Sequence, residues 1–392
     1  MPGMKTFPLL AAICLAFFAQ TALAAPTTEP SQTLALATAT ANRGFAYLRK
    51  VEKPDYSWGD AIDPPGVSGL VLKSFVEDPH YTPAMPFLGD GYLHLLSYQL
   101  ANGGIYKDLL ANYNTAIAIS ALAVSRDPAY VPAMKRAIIY LRSLQWTDKI
   151  EAPDGKKIDV NDPRWGGFGY GSGKSSRPDL SNTQWALEAL HEAGVPPTDP
   201  AFQAALKFAT RCQNDSETND QKWAGDDGGF VYESNGATAA GKYIGPGGRV
   251  FFRSYGSMTY AGLKSMIYCG LSRNDPRVKA AWGWIENNYT VDENPGMAET
   301  APGAGKGGLY YYYYTMAKAL HVYGQPIITD SHGVQHDWRA DLAYKLAQLQ
   351  RPDGSWVGGR RWMENNPVLV TSYACLALQE IRQDIEPHPT AQ

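Results

Sequence analysis

The chain has 392 residues, of which 35 are Lys or Arg and 38 are Asp or Glu, so its formal net charge is −3 at neutral pH. A weakly acidic chain without a clustered basic segment is not typical of proteins that bind nucleic acid, and we expect no nucleic-acid partner. The 24 tyrosines outnumber the 12 phenylalanines. Rings that carry a hydroxyl suit surfaces that are apolar on one side and wet on the other.

Residues 1–24 have the pattern of a secretory signal peptide. Lys5 precedes an apolar stretch at 9–19 that is too short to span a bilayer, and Ala22-Leu23-Ala24 forms a small-x-small cleavage site. No later apolar run reaches the roughly 18 residues that a transmembrane helix needs. We therefore expect a secreted or periplasmic protein whose mature chain begins at Ala25 and has no transmembrane anchor. Peripheral contact with a membrane surface stays open.

Two kinds of helix alternate along the mature chain. The first kind ends in a glycine-rich, aromatic loop, and the second begins with small or hydroxyl residues and carries an alanine-rich face. In the last and clearest copy, helical periodicity at 341–350 leads to RPDGSW at 351–356 and then to a second helix from about Val370. First helices of the earlier copies are predicted at 43–51, 92–99, 137–145, 201–213 and 278–289.

Six such helix pairs, with a period of about 60 residues, predict an all-α fold. The expected architecture is an α/α toroid, a closed ring with the second helices inside and the first helices outside. It is predicted for residues 41–383, between a flexible segment at 25–40 and a tail at 384–392. An open solenoid is the alternative, although closure removes the exposed ends that a solenoid must cap. Small residues at equivalent positions of the second helices allow close approach; they are Ala118, Ala186, Ala261, Ala317 and Ala374.

The motif QRPDGSW at 350–356 resembles the Gln-x-x-x-Gly-x-Trp repeat of squalene and oxidosqualene cyclases, and QLANGGIY at 99–106 looks like a degenerate copy. Protein prenyltransferase β-subunits share that toroid. More narrowly, the segments DENPG, GGLYYYYYTMAKAL and HDWRADLAYKL are similar to exported bacterial proteins with prenyltransferase/squalene-oxidase repeats. The resemblance implies a fold rather than a reaction. We expect Gln350 to bond backbone groups left unpaired at helix ends and Trp356 to pack over the turn.

The catalytic groups of both enzyme branches are missing from the expected positions. Class II terpene cyclases protonate an alkene with an Asp-x-Asp-Asp motif, for which the best match is Asp179-Leu180-Ser181-Asn182. Ser181 stands where the resemblance implies the proton donor, and Asp179 is predicted to cap the following helix. The Asp-x-Cys zinc pattern of protein prenyltransferases is also missing from the sequence. We therefore expect no metal and no cofactor.

Several further patterns favour structural interpretations. Cys212, Cys269 and Cys375 form no metal-like pair and are predicted to be buried. His332 and His336 are four residues apart, but the intervening glycine indicates a loop ahead of a helix from Trp338, with Asp337 as its N-cap. The segment GSGKSS at 171–176 imitates the end of a phosphate loop, but it lacks the first glycine and a proline follows closely.

Asp226 and Asp227, ahead of two glycines, are the densest acidic pair near the predicted mouth of the ring. Paired carboxylates suit the acid–base cleavage of a glycan, so these residues and Asp179 are the candidate catalytic groups. Calcium binding or ordinary turn chemistry is the simpler interpretation of the pair. Glu293 and Glu364 lie in corresponding loops of later copies.

A ligand site is predicted at the mouth where the inner helices begin, between the third and sixth pairs. Five consecutive tyrosines at 310–314 fan around a helix axis at 100° per residue, so some must face the cavity. Aromatic walls with a few polar groups are what a binding cleft needs. The candidate ligand-binding residues are Trp165, Phe168, Tyr170, Phe230, Tyr232, Arg253, Tyr310, Tyr312, Tyr313, Trp356, Trp362 and Glu364.

Two classes of function fit this sequence. In the first, the toroid binds or processes a polyprenyl-type lipid or a glycan, as an isoprenoid cyclase or transferase or as a polysaccharide lyase or hydrolase would. In the second, it is a non-catalytic binding or scaffold protein for a small molecule. An acid with a raised pKa inside the cavity favours the enzyme, whereas aromatic walls without a titratable group favour binding.

Overall fold

The computed structural model describes residues 29–59, 65–151, 155, 157–171 and 176–387. The predicted signal peptide, its predicted cleavage point at Ala25 and most of GSGKSS lie outside these residues. The described residues form twelve α-helices and two short hairpins. The helices are α1 (Pro30–Lys50), α2 (Gly66–Val76), α3 (Pro86–Ser97), α4 (Ala111–Ser125), α5 (Val131–Ser143), α6 (Leu180–Glu192), α7 (Pro200–Thr210), α8 (Gly256–Tyr268), α9 (Pro276–Asn288), α10 (Leu309–Tyr323), α11 (Trp338–Leu349) and α12 (Pro367–Ile385).

The even-numbered helices form a closed inner ring. Each of them contacts the next even-numbered helix, and α12 returns to contact α2. The inner helix α8 buries twelve of its 13 residues, whereas the outer helix α3 buries four of its 12. The fold is therefore the predicted α/α toroid, and the closed contacts exclude an open solenoid. None of the helices described is both long and apolar enough to cross a bilayer.

Local signals set the starts of the outer helices. Asp199 and Asp275 each precede a proline, and their carboxylates accept the backbone N–H groups of Ala201 and Arg277. An acidic N-cap followed by proline satisfies free backbone donors and fixes the first helical φ. Asp337 caps α11 in the same way through the N–H of Arg339, as the sequence predicts.

Four glutamines tie each glycine turn to the next outer helix. The side-chain amide of Gln145 donates to the carbonyls of Gly166 (2.8 Å) and Ala201 (2.9 Å), the second of which belongs to α7. Gln99, Gln213 and Gln350 make the equivalent pairs of bonds to α5, α9 and α1. Because Gln350 reaches α1, this contact also joins the last turn to the first helix. Gln350 thus bonds backbone carbonyls as predicted, although Thr40 lies in the middle of α1 rather than at a helix end.

The turn glycines allow this close approach. Gly166 has φ +92°, and an added Cβ would lie 1.9 Å from the carbonyl oxygen of Ala204 in α7. Gly354 has φ +88°, and an added Cβ would lie 2.3 Å from the carbonyl oxygen of Arg43 in α1. Only glycine combines this left-handed backbone with the missing side-chain volume. The turns are thus fixed against the outer layer.

Residues just after the turns point into the core. The N–H groups of Phe168 and Phe230 donate to the hydroxyls of Thr183 and Thr259 on the following inner helices, and Trp356 repeats the pattern with its own threonine. These three rings are 0% exposed. The indole of Trp356 also donates to the Leu346 carbonyl of α11, so this ring is buried and bonded to the outer helix that precedes the turn.

The structure adds order at places where the sequence indicated loops or flexibility. Helix α1 begins at Pro30, inside the stretch 25–40 that was predicted to be flexible, because Thr33 and Ala37 are buried. Helix α12 continues to Ile385, two residues into the predicted tail. Two antiparallel hairpins form, β1 (Lys242–Ile244) with β2 (Val250–Phe252) and β3 (Ile327–Thr329) with β4 (Gln335–Asp337).

Of the simpler interpretations of chemistry-bearing residues, that of the cysteines agrees with the structure, and the predicted loop at His336 is corrected. The three cysteines described are all buried and unpaired, as predicted. His336 lies in β4 rather than in a loop, 3.3 Å from a carboxylate oxygen of Asp330. Within the ranges described, no three His, Cys, Asp or Glu side chains are grouped so as to hold a metal ion.

We expect Gln145→Ala to lower the free energy of unfolding by about 2 kcal/mol, because it removes two hydrogen bonds in a buried environment. Gln203→Ala is the matched control, since that amide makes one bond, to the carbonyl of Pro197, at the surface. The control should change stability by less than about 0.5 kcal/mol. Urea unfolding of both variants gives the comparison, and equal losses would contradict the role assigned to Gln145.

Candidate functional site

A cavity of about 630 Å³ opens where the inner helices begin. Every inner helix contributes a residue from its first turns to the wall. These residues are Gly66, Asn114, Ser181, Ser257, Tyr311 and Tyr373. The cavity therefore lies on the axis of the ring, at the end predicted from the connecting loops.

Six tyrosines contribute to the wall. Tyr113, Tyr170, Tyr232 and Tyr255 join Tyr311 and Tyr373 around the space. The hydroxyls of Tyr170 and Tyr232 lie 2.9 Å apart, and the Tyr311 hydroxyl lies 2.9 Å from that of Ser181. Because these hydroxyls bond to one another, the rings present mainly apolar surface to the space.

One charged side chain stands at the rim. Among the described residues that line the cavity, Arg361 is the only one with an acidic or basic side chain. Its guanidinium lies 4.1 Å from the centre of the Trp362 ring, which also lines the space and is 47% exposed. The cavity thus has apolar walls and a single fixed positive charge at its mouth.

A layer of buried charge lies two helical turns below the cavity. Five lining residues are each followed, seven positions later on the same inner helix, by an ionic side chain, about 10 Å further along the axis. The pairs are Gly66 with Lys73, Ser181 with Glu188, Ser257 with Lys264, Tyr311 with Lys318, and Tyr373 with Glu380. Tyr314 separates the layers, stacked on Trp185 with ring centres 5.5 Å apart.

The buried charges pair with one another. Lys73 lies 2.7 Å from Glu188 and 2.8 Å from Glu192, and Lys264 also bonds Glu188. Lys318 lies 2.8 Å from Glu380 and 3.2 Å from Glu192. We call these six residues with Glu77 the ionic layer. Although burial opposes it, Lys264 and Lys73 hold the pKa of Glu188 well below its ordinary value.

The seventh member of the layer is a fourth carboxyl group, which leaves the charge balance unchanged when it holds a proton. Glu77 lies 3.7 Å from Lys73, so three lysines face four carboxyl groups. Burial raises the pKa of Glu77 from 4.5 to about 8, helped by the negative charges of Glu380 and Glu192. At neutral pH Glu77 therefore holds a proton, and the layer is electrically neutral.

We expect the free energy of unfolding to fall as pH rises from 4.5 towards 8, because folded Glu77 binds its proton more tightly than the unfolded chain does. Between pH 6 and 8 the titration of Glu77 should lower the free energy of unfolding by about 2 kcal/mol. Glu77→Gln should remove that part of the dependence of the free energy of unfolding on pH, because a glutamine side chain stays uncharged over this range. Urea titrations at several pH values measure the slopes, and identical slopes for the two proteins would contradict the assignment.

Asp179 stands behind the wall rather than in it. Its carboxylate accepts the N–H and the side-chain amide of Asn182, both at 2.8 Å, so the predicted N-cap of α6 is confirmed. Burial raises its pKa from 3.8 to about 7, although bonds from Asn182 and from the Tyr232 hydroxyl oppose the rise. Ser181, in contrast, lines the cavity. The serine thus occupies the position where the resemblance implies a proton donor.

The acidic pair predicted at the mouth accepts hydrogen bonds from loop residues. Asp226 accepts the N–H of Ser216 at 3.0 Å, and Asp227 accepts the N–H of Gly229 and the hydroxyl of Ser254, both at 2.8 Å. Bonds from Ser216 lower the pKa of Asp226, whereas burial raises that of Asp227. Neither residue belongs to the cavity lining. The bond from Gly229 fits the turn-chemistry interpretation, and the bonds from Ser216 and Ser254 join the pair to two other loop segments.

The tyrosine run points in several directions. Tyr311, which was not among the named candidates, lines the cavity. Tyr312 and Tyr313 instead donate their hydroxyls to the carbonyls of Thr290 and Val291, at 2.6 and 2.7 Å, and both are 0% exposed. Tyr310 is also buried and packs edge-to-face on Tyr313. These three candidates therefore support the wall from behind.

Glu364 fixes the start of α10. Its carboxylate accepts the backbone N–H groups of Leu309, Tyr310 and Tyr311, at 2.8 to 3.0 Å. Burial raises its pKa to about 7, against the effect of these three donors. The carboxylate satisfies the free donors at a helix start, so Glu364 positions Tyr311 rather than lining the cavity.

The remaining candidates divide between the rim and the packed interior. Tyr170, Tyr232 and Trp362 line the cavity as expected. The other candidates lie outside the lining, and three of them, Phe168, Phe230 and Trp356, are in the core. Trp165 packs on a small cluster of Trp146 and Ile158. Arg253 lies 3.6 Å from Glu299, and Glu293 lies against the Gly305 turn.

Comparison with solved structures shows the same fold at low sequence identity. A variant of the type II terpene cyclase MstE from Scytonema, in complex with geranylgeranyl dihydroxybenzoate, has a TM-score of 0.55 and 13% identity over 90% of this chain and 99% of that one. An unsaturated glucuronyl hydrolase specific for heparin has a TM-score of 0.55 and 11% identity over 90% and 98% of the two chains. A protein from Actinoplanes has a TM-score of 0.51 and 16% identity over 89% and 99%.

No protein-family model and no curated protein sequence matches the chain. At identities of 11 to 16%, the likeness to the solved structures demonstrates the α/α toroid alone. Any argument about ligand or reaction has to start from the cavity.

Proposed function

We propose that the cavity binds a small amphipathic ligand of the isoprenoid type. Its apolar chain lies among the tyrosine rings, and its polar or anionic end lies beside Arg361. The observation that carries this proposal is the wall itself, which is mostly apolar, includes seven aromatic rings and has one charged side chain among the described lining residues. A volume of about 630 Å³ falls within the range of about 300–1,000 Å³ usual for small-molecule sites.

The physical terms favour a chain with a charged end. Each buried methylene contributes about 0.8 kcal/mol, so an apolar chain gains most from the tyrosine wall. A carboxylate or phosphate at the mouth gains a charge-assisted bond from Arg361. The partial positive charges at the starts of the inner helices add to this attraction.

The proposal is binding rather than alkene protonation. A cyclase needs a strong, dry acid that reaches the alkene, whereas Ser181 lines the cavity here and Asp179 caps α6. The terpene cyclase that shares the fold is described in complex with a geranylgeranyl compound, which supports the ligand class without transferring the reaction. We therefore infer a toroid that holds an isoprenoid without cyclising it.

A second candidate is an unsaturated uronate oligosaccharide, the substrate class suggested by the name of the glucuronyl hydrolase with this fold. The observation in its favour is the chain of contacts from Asp179 through the Tyr232 hydroxyl to Tyr170 at the wall. A carboxyl group with a pKa of about 7 is partly protonated near neutrality and suits general acid catalysis.

Fluorescence titrations with geranylgeranoic acid, geranylgeraniol and an unsaturated uronate disaccharide separate these candidates. The acid should bind more tightly than the alcohol. Arg361→Gln should weaken binding of the acid by roughly tenfold and so remove that preference. Arg360→Gln is the matched control, because this neighbouring arginine is exposed and lies outside the lining. Trp362→Ala should weaken both isoprenoids and leave the melting temperature nearly unchanged, since the ring is 47% exposed.

The outcomes discriminate clearly. Binding or cleavage of the disaccharide without binding of either isoprenoid would replace the first candidate by the second. Equal effects of the two arginine substitutions would remove Arg361 from the site. No binding of any probe would overturn the proposed function.

A further inference from the structure

The start of α8 is held in place by the loop at 292–296, the segment that reads DENPG. The N–H of Gly256, the first residue of α8, donates to the carbonyl of Pro295 at 2.8 Å. Asn294 is fixed in turn, because its own N–H donates to the carbonyl of Gly305 at 2.8 Å. This loop therefore positions the first turn of α8, which forms part of the cavity wall.

The hydroxyl of Ser257, in the cavity wall, has its bonding direction set by Asn294. The backbone N–H of Ser257 donates to Oδ1 of Asn294 at 3.0 Å, and because an N–H can only donate, the orientation of the amide is fixed. Nδ2 of Asn294 then donates to the hydroxyl oxygen of Ser257 at 3.1 Å. The hydroxyl proton has no acceptor among the described residues, so Ser257 carries a free donor on a side chain that is 3% exposed.

Tyr255, the residue that precedes α8, brings a second free donor to the same wall. It is also 3% exposed, and within the ranges that the structure describes its hydroxyl makes no hydrogen bond. Burial raises the pKa of Tyr255 well above its ordinary value, so the phenol keeps the proton that it can donate. The charge of Arg361 opposes this rise in pKa, so the guanidinium acts on the Tyr255 hydroxyl.

The other polar side chains of the wall are bonded within the protein. The Asn114 amide donates to the carbonyl of Leu109, and the Thr238 hydroxyl donates to a backbone carbonyl after β2. The remaining hydroxyls of the described lining bond to one another in pairs, which are Tyr170 with Tyr232, Tyr113 with Tyr373, and Tyr311 with Ser181. The start of α8 differs, because two donors that lie two residues apart in the sequence are both free.

A ligand that fills the cavity displaces water from these two hydroxyls. An apolar surface against them would leave two buried donors without an acceptor and weaken binding, whereas an oxygen acceptor would satisfy them. A carbonyl oxygen has two lone pairs and no proton of its own, so it suits a pair of donors. The neighbouring positive charge of Arg361 also favours an oxygen atom with a partial negative charge.

We propose that Tyr255 and Ser257 form a subsite that donates hydrogen bonds to a carbonyl oxygen of the ligand, near the anionic end that lies beside Arg361. The inference rests on the proposed function and narrows the ligand class, from an isoprenoid acid to an isoprenoid acid with a keto group close to its carboxylate. Asn294 is a positioning residue in this subsite, because its amide occupies the Ser257 oxygen and leaves the hydroxyl proton for the ligand.

Fluorescence titration with two matched ligands tests the subsite. They are a geranylgeranyl γ-keto acid and the same acid with a methylene in place of the keto carbonyl. The wild-type protein should bind the keto acid roughly tenfold more tightly, and Tyr255→Phe and Ser257→Ala should each reduce this ratio several-fold. Tyr268→Phe and Ser265→Ala are the matched controls, because both residues belong to α8, are buried and lie outside the lining.

Urea unfolding separates this role from a role in packing. Tyr255→Phe removes a hydroxyl that bonds to no described residue, so its free energy of unfolding should not fall, and this variant carries the test if Ser257→Ala does not fold. Equal affinities of the wild type for the two acids, or a ratio that Tyr255→Phe leaves intact, would overturn the inference while the proposed function stands. Failure of both acids to bind would sink the proposed function and this inference together.

Discussion

The architecture depends on the contact between each glycine turn and the next outer helix. Gln145 and its three counterparts bond the turn and the neighbouring helix together, and the turn glycines leave no room for a side chain at that point. Since Gln350 makes the same contact to α1, the constraint closes the ring. A closed ring in which four turns share this geometry has the starts of all six inner helices at one face, and this arrangement creates the cavity.

The sequence predicted this framework because the constraint is local. Gln350, Gly354 and Trp356 lie within seven residues, and their roles follow from turn and helix-end chemistry. The identity of the wall was harder to predict. Phe168 and Tyr170 are two residues apart, but the bond from the Phe168 N–H to a threonine on α6 turns that ring into the core and leaves Tyr170 at the rim. An aromatic residue directly after the turn is thus a signal for the core.

The run of five tyrosines did not by itself predict which ring faces the cavity. Its periodicity indicates that some rings face the cavity, but the rotation of α10 is set by Glu364, which lies more than fifty residues later. The ionic layer was missed for a related reason: Lys73 and Glu188 look like isolated charges until the ring brings their helices together. Buried ion pairs add little net stability but leave few alternative pairings, so we infer that the layer fixes helix register and closes the axis below the cavity.

The central claim is that the tyrosine wall holds the apolar chain of an isoprenoid whose charged end stays at the mouth. Photo-crosslinking tests it most directly, with a geranylgeranyl carboxylic acid that carries a diazirine at the far end of its chain. Mass spectrometry should find the label on peptides from the first turns of α10 and α12, around Tyr311 and Tyr373. Labelling confined to peptides of the outer helices, such as α3 and α5, would contradict the account.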